Sequence, residues 1–369
     1  MKLVEQNARL LEKPAATDKL GVLKYIEEIG RVCYKSERRI TDDSAPKFIR
    51  ILKERKHWAM LEHYIFTIAL PVDIFDEMDM YVNNSNAQFI TTREKGRFIQ
   101  LTRLHSVGKD MLYMLSASAT ALNYLFEAIM NLKHVHKSES VLALNKWLCN
   151  QYPDLFVPYQ TDITEIRHDI RFMDEEELED VPLPVYLAHK WVSFRYTTNR
   201  GVSHEIVRHR PASYAQSSTR YCNYSNDQFG NELTFIRPHF TDDIKIHSPW
   251  LTGIKETELS YLEMLNAGAT PQQAREVLPN SLMTEMTMTA NLQEWIHFIN
   301  MRCPKDAHPE MRILALQVLD QIMDLMDIKE TFRKYMVNPT YAPWSVDTYP
   351  YHEFFKPEVL EIMMKLSNE

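Results

Sequence analysis

The sequence predicts an α+β fold: helices packed around a twisted, mainly antiparallel sheet, with a largely helical insertion. Three observations lead there. The stretches YIFTIAL (64–70) and VSFRYTT (192–198) alternate in the manner of strands. Segments with apolar residues at helical spacing flank both. The eight glycines are spread so widely that neither GxGxxG nor a P-loop can be written, so any dinucleotide the chain binds is not held by a Rossmann fingerprint.

Taken in order, residues 18–34 place Val22, Leu23, Ile26, Ile29 and Cys33 on one helical face. Pro46, a favoured first-turn residue, opens a second helix that turns Phe48, Ile49 and Leu52 inward. KHWAMLEH (56–63) leads into the first strand, with Tyr64, Phe66, Ile68 and Leu70 on one side. From 71 to 190 the texture changes: NNSNAQ (83–88) and other polar segments surround a helical region near 109–152, and DEEELED (174–180) reads as a solvated loop or helix end. This section is expected to be an insertion or subdomain.

GVSHEIVRHR (201–210) fits a short helix with Val202, Ile206 and Val207 inward. Pro211 disfavours helical geometry at Arg210, which predicts a helix end there and a loop beyond. Residues 255–267 have helical texture, and Thr270-Pro271 opens a further helix. Asn291 is a cap for LQEWIHFINMR, and Pro309 starts a helix striped by Met311, Leu314, Val318, Ile322 and Leu325. The tail from 336, rich in Tyr and Pro, is expected to strap the surface. The expected division is 1–70 and 191–335 as the two parts of one core, 71–190 inserted between them, and 336–369 as the tail.

The 369 residues are 45% hydrophobic and 25% charged, ordinary for a folded domain. No stretch approaches the roughly 20 apolar residues of a membrane span, and the N-terminus is too polar for the core of a secretory signal. Four cysteines without a CxxC pair fit a reduced cytoplasmic protein. The net charge of −8 argues against a general nucleic-acid binder, so any anion site must be local.

RHRPASYAQSSTRY (208–221) is such a patch. On a helix Arg208 and Arg210 would emerge on nearly opposite sides. The following segment offers Ser213, Gln216, Ser217, Ser218 and Arg220, groups suited to phosphate, with arginine giving bidentate charge-assisted bonds. The plainer alternative is a basic helix end that complements the helix dipole, followed by a serine-rich surface loop.

RHR followed by seven residues and Ser218 resembles the signature of flavin-dependent thymidylate synthases. KHWAMLEH resembles their His-x-x-x-x-Glu-His segment, and AREVLPNSLMTEMTMTANLQEWIHFINMR (274–302) resembles a further conserved block. The likeness covers roughly 18–68 and 192–326. It implies a homotetramer with active sites between subunits, binding FAD, dUMP, NADPH and methylenetetrahydrofolate. By position it places His57, Arg208, His209, Arg210, Gln216, Asn291, Gln293 and His297 at FAD. Glu205, Arg208, Gln216, Ser217, Ser218, Thr219, Arg220, Arg275 and Arg302 are placed at dUMP. Arg302 is the implied catalytic residue, activating the uracil ring. It shares a helix face with Phe298 and Ile299, where a cation is costly unless an anion meets it; a buried ion pair is the alternative.

Three positions depart from the family's pattern: Ala215-Gln216 replaces an Asn-Glu pair, Ala59 a hydroxyl residue, and Gln293 an arginine. No metal is expected, because the histidines of HEIVRH (204–209) are spaced five apart rather than four. A cysteine nucleophile is not expected either. The departures leave two other readings: a non-catalytic nucleotide-binding homologue, or a related flavoenzyme acting on a modified pyrimidine nucleotide.

Overall fold

The computed structural model describes residues 1–82, 99–104, 111–131, 139–220, 222, 224, 231–240, 242–328 and 353–367. NNSNAQ and residues 336–352 of the tail lie outside them. The first part runs β1 (Lys2–Val4), β2 (Asn7–Leu10), α1 (Lys19–Val32), α2 (Ser44–Glu54), a 3₁₀ turn Trp58–His63 and β3 (Ile65–Ala69). Then come α3 (Val72–Val82), β4 (Ile99–Leu104), β5 (Leu112–Ser118), α4 (Ala119–Met130), α5 (Glu139–Gln151), β6 (Arg171–Phe172), α6 (Glu175–Glu179) and α7 (Leu183–His189). The remainder is β7 (Trp191–Asn199), α8 (Arg200–Ile206), β8 (Ser213–Gln216), β9 (Thr234–Ile236), α9 (Ile244–Asn266), α10 (Pro271–Ala274), β10 (Met283–Asn291), α11 (Leu292–Arg302), α12 (Pro309–Leu325) and α13 (Pro357–Leu366).

The single expected sheet is in fact two. One is antiparallel in the order β2-β7-β10-β8, the other antiparallel in the order β4-β5-β3-β6, and β1 and β9 form a separate parallel pair. β3 pairs with β5 from Ile65↔Ser118 to Ala69↔Met114, so the 70/71 boundary falls inside one sheet. Segment 71–190 supplies β4, β5 and β6 as well as helices. β3 is a central strand buried on both faces, which explains why strict alternation misdescribes it. Phe66 and Ile68 enter one hydrophobic cluster, built mostly from residues 11–170; Ala69 enters the other.

That other cluster fills the space between the first sheet and α11, α12 and α13. Phe355, Val359, Leu360 and Met363 belong to it, so the end of the tail is core rather than a surface strap. β7 and β10 pair along their whole length, from Asn199↔Met283 to Trp191↔Asn291. Met286, Met288 and Ala290 of β10 enter this cluster. Thr289 turns a hydroxyl to Ser193 (2.6 Å) and His63 Nδ1 (2.7 Å), forming a buried polar layer. Burial pushes the His63 imidazole down to about 3, so it is neutral there.

Two expectations near the basic patch change. α8 ends at Ile206, not Arg210, with its N-terminus capped by Asn199 Oδ1 accepting from Val202 N–H at 2.8 Å. Arg208 and Arg210 therefore sit on a turn, and the argument from helical spacing does not apply to them. Residues 213–216 are a strand rather than a loop, paired with β10 from Ser213↔Thr289 to Gln216↔Met286. Edge pairing to β10 outweighs the loop-like composition because Ala215 fills the cluster built mostly from residues 11–170 while Tyr214 packs against the other. DEEELED forms the exposed helix α6, closed by a capping box between Asp174 and Glu177.

Candidate functional site

The patch lies where β7 passes through α8 into β8, with α11 running alongside. α11 begins as the sequence predicts: Asn291 Oδ1 accepts from Glu294 N–H at 2.9 Å, and its Nδ2 donates to the Ala188 carbonyl at 3.1 Å. Trp295, Phe298 and Ile299 are fully buried, while Gln293 and His297 are exposed. Because both ends of its amide are engaged, Asn291 acts first as a cap. Asn291→Ala is expected to cost about 1 kcal/mol, read as a lower denaturation midpoint.

His209 is buried, edge-on to Phe298 with ring centroids 5.4 Å apart. Its Nε2 lies 2.8 Å from Glu294 Oε1, yet neither atom makes an aligned hydrogen bond. His297 packs tilted beside it at 5.2 Å. The ligand atoms of His209, Glu294 and His297 all lie within 4.8 Å of one another, close enough to hold a metal ion. HEIVRH spacing could not reveal this grouping, since its members come from two separated segments. Glu294 was missed for the same reason; its only trace is the i,i+3 spacing to His297.

Arg210 folds back, donating to the His209 carbonyl at 2.8 Å and to the Val207 carbonyl, with its guanidinium 5.1 Å from the Tyr214 ring centroid. Tyr214 donates to the His209 carbonyl at 2.6 Å. Arg208, by contrast, is exposed, and its side chain has no hydrogen-bond or ion-pair partner among the described residues. Arg302 approaches a carboxylate only loosely, its Nη1 3.9 Å from Glu205 Oε2, and its buried Nε has no partner. The expected ion-pair alternative for Arg302 is thus present but weak.

The hydroxyl segment is tightly built. Gln216 Nε2 donates to Ser203 Oγ (2.8 Å) and Thr284 Oγ1 (3.2 Å), and Ser217 Oγ meets Thr284 Oγ1 at 3.0 Å. Ser218 N–H donates to the Cys33 carbonyl, placing the segment against the end of α1. Arg220 Nε donates to Gln272 of α10 at 3.1 Å, and Arg200 Nη1 to the Ser217 carbonyl at 3.4 Å. Arg275 is close enough to Arg200 to disfavour its charge, behind the larger effect of burial. Thr219 is half-buried beside them, and His57 is exposed ahead of its 3₁₀ turn.

The arginines therefore form two groups. Arg200, Arg220 and Arg275 lie at the N-terminal end of α8; Arg302, with Arg208 nearby in sequence to Glu205, lies at its C-terminal end, roughly 10 Å along. Arg200 and Lys35, which contacts Glu285, were not foreseen. Burial pushes the Cys33 and Cys222 thiols up to about 11 and Cys303 to about 12, so none supplies a thiolate near neutrality.

A sequence profile of the family described as thymidylate synthase complementing protein matches residues 185–326. A flavin-dependent thymidylate synthase of Pyrococcus furiosus is 32% identical over 142 residues, 38% of this chain and 57% of that protein. One of Geobacter sulfurreducens is 29% identical over 195 residues, 51% of this chain and 78% of that protein. One of Mycolicibacterium gilvum is 31% identical over 179 residues, covering 44% and 66%. The chain spans 57% of the length of the Pyrococcus furiosus protein it matches. Among the described residues no helix is long and apolar enough to cross a membrane.

Proposed function

We propose, from the match of residues 185–326 to the thymidylate synthase complementing protein family, that this chain is a flavin-dependent thymidylate synthase. It methylates dUMP to dTMP using methylenetetrahydrofolate, FAD and NADPH, as a reduced cytoplasmic homotetramer with sites shared between subunits. One observation carries the reading. The matched segment contains both the RHR turn and Arg302, and each holds polar groups without an aligned hydrogen bond among the described residues: the Arg208 guanidinium, Arg302 Nε, and the His209–Glu294 pair.

FAD would be held by His57, Arg208, His209, Arg210, Gln216, Asn291, Gln293 and His297. Asn291 and Arg210 already have intrachain partners, so their part is to shape the wall at the helix cap and the turn. When bound, FAD supplies the redox chemistry, drawing on NADPH, while the folate supplies the one-carbon unit. dUMP would be held by Glu205, Arg208, Gln216, Ser217, Ser218, Thr219, Arg220, Arg275 and Arg302. Arg220 and Arg275, with the Ser217 and Ser218 hydroxyls, bind the phosphate. Arg302 keeps a positive charge at the pyrimidine N3/O2 edge and stabilises negative charge that develops there. Glu205 orients that guanidinium from 3.9 Å without neutralising it in a tight pair. The protonated cysteines take no part.

Purified protein reconstituted with FAD and freed of unbound flavin is expected to be yellow and to lose flavin absorbance on adding NADPH. It is expected to release tritium from C5-labelled dUMP only when methylenetetrahydrofolate is present. Failure to take up FAD, or tritium release that ignores the folate, would overturn the reading.

A further inference from the structure

A cavity of about 780 Å³ opens at the seam between the two hydrophobic clusters. Its walls come from the connector after β2, from β3, from the β6–α6 segment and from the start of β7. None of the residues assigned above to dUMP or FAD lines it. The volume falls within the range of small-molecule sites, which favour junctions between packed units.

Lys13 projects into this seam. Its Nζ donates to the Ile65 carbonyl at 2.8 Å and lies 4.9 Å from the Tyr64 ring centroid. It makes no ion pair with a carboxylate among the described residues. The second ammonium lining the cavity, Lys190, does have one, in Glu175. The other acids that line the cavity, Glu12, Asp174 and Glu179, are exposed residues, and Asp174 is committed to capping α6. His189, bonded on both ring nitrogens to Ser116 and Thr102, is held neutral by burial, down to about 4. Of the two ammoniums in the lining, Lys13 is thus the one with no carboxylate at ion-pair distance among the described residues, the four lining acids being exposed residues.

Lys13 is half-buried, and its Nζ has a carbonyl acceptor but no carboxylate, a setting that favours losing the proton or gaining an anion. Burial, and then Lys190, bring Lys13 down to about 7. The unfolded chain therefore holds the extra proton between about pH 7 and 10, and stability rises with pH across that window. An anion placed on Nζ would return the proton. The cavity has room for one, and Phe172 and Trp191 add aromatic surface beside it.

We propose that this seam cavity binds a small organic anion, its carboxylate or phosphate head on Lys13 and its apolar body against Phe172 and Trp191. The test uses 3-phenylpropionate, phenyl phosphate and the neutral 3-phenyl-1-propanol in titration calorimetry near pH 8, in two buffers of different ionisation enthalpy. Wild-type protein is expected to bind at least one of the two anions more tightly than the alcohol and to take up a proton as it does so. The tighter anion identifies the head group. Lys13→Met is expected to bind that anion about tenfold more weakly or worse, with no proton uptake. Equal binding of the alcohol, anion binding without proton uptake, equal affinity in a folded Lys13→Met variant, or no heat with either anion at millimolar concentration would each overturn the proposal. The proton uptake is read on wild-type protein alone, so the test stands even if the variant fails to fold.

Discussion

Arg302→Ala is expected to lower dUMP turnover about 100- to 1,000-fold, the range for removing one preorganised charge from a transition state, while FAD still binds. A structural role for Arg302 predicts the opposite balance. Its one carboxylate contact among the described residues, Glu205 at 3.9 Å, is loose, and the side chains are 24% and 33% exposed. A pair of that kind contributes less than about 1 kcal/mol to stability. The alanine variant should therefore melt within a few degrees of wild type even as turnover collapses. Glu205→Gln separates the roles further. It leaves the guanidinium in place, so the loss should be smaller than for Arg302→Ala and should appear partly in KM. Turnover that survives Arg302→Ala would remove the residue from catalysis, and a large drop in melting temperature would make it structural.

The reason Arg302 can be singled out from sequence at all is that α11 is locally legible. The Asn291 cap, the apolar face of Trp295, Phe298 and Ile299, and a cation one turn later on that face are all written in twelve consecutive positions. α1 and α12 are legible for the same reason, since caps and helical stripes are short-range signals. What failed was long-range. Residues 213–216 have a loop-like composition, and only their pairing with β10, some seventy positions away, makes them a strand. Nor could periodicity disclose that β3 sits in the middle of a second sheet whose other strands come from 71–190. The site shows the same division. Individual residues could be named from motif spacing, but the meeting of His209 with Glu294 depends on how the RHR turn docks on α11. That two groups of arginine occupy opposite ends of α8 likewise follows from contacts across the fold, Arg275 near Arg200 and Arg302 at Glu205.

The docking of α11 rests above all on one side chain. Trp295 is fully buried, meets Phe194 of β7 edge-on at 4.8 Å and Phe298 at 5.5 Å, and donates its indole N–H to the Val192 carbonyl at 3.2 Å. Trp295→Ala removes the largest group between helix and sheet and strands that carbonyl. The expected cost is about 3–5 kcal/mol, measured as the shift in denaturant midpoint for the unit built on the first sheet. Trp295→Phe keeps the aromatic contacts and loses the hydrogen bond and part of the volume, so it should cost clearly less. Because His297 and Arg302 ride on the same helix, amide exchange along 292–302 in the alanine variant should quicken together rather than residue by residue. Activity should then fall with the folded fraction and return when conditions that stabilise the fold are restored. A cost below about 1 kcal/mol would mean that α11 is held in register by something other than this contact, with the Asn291 cap and the α12 packing next in line.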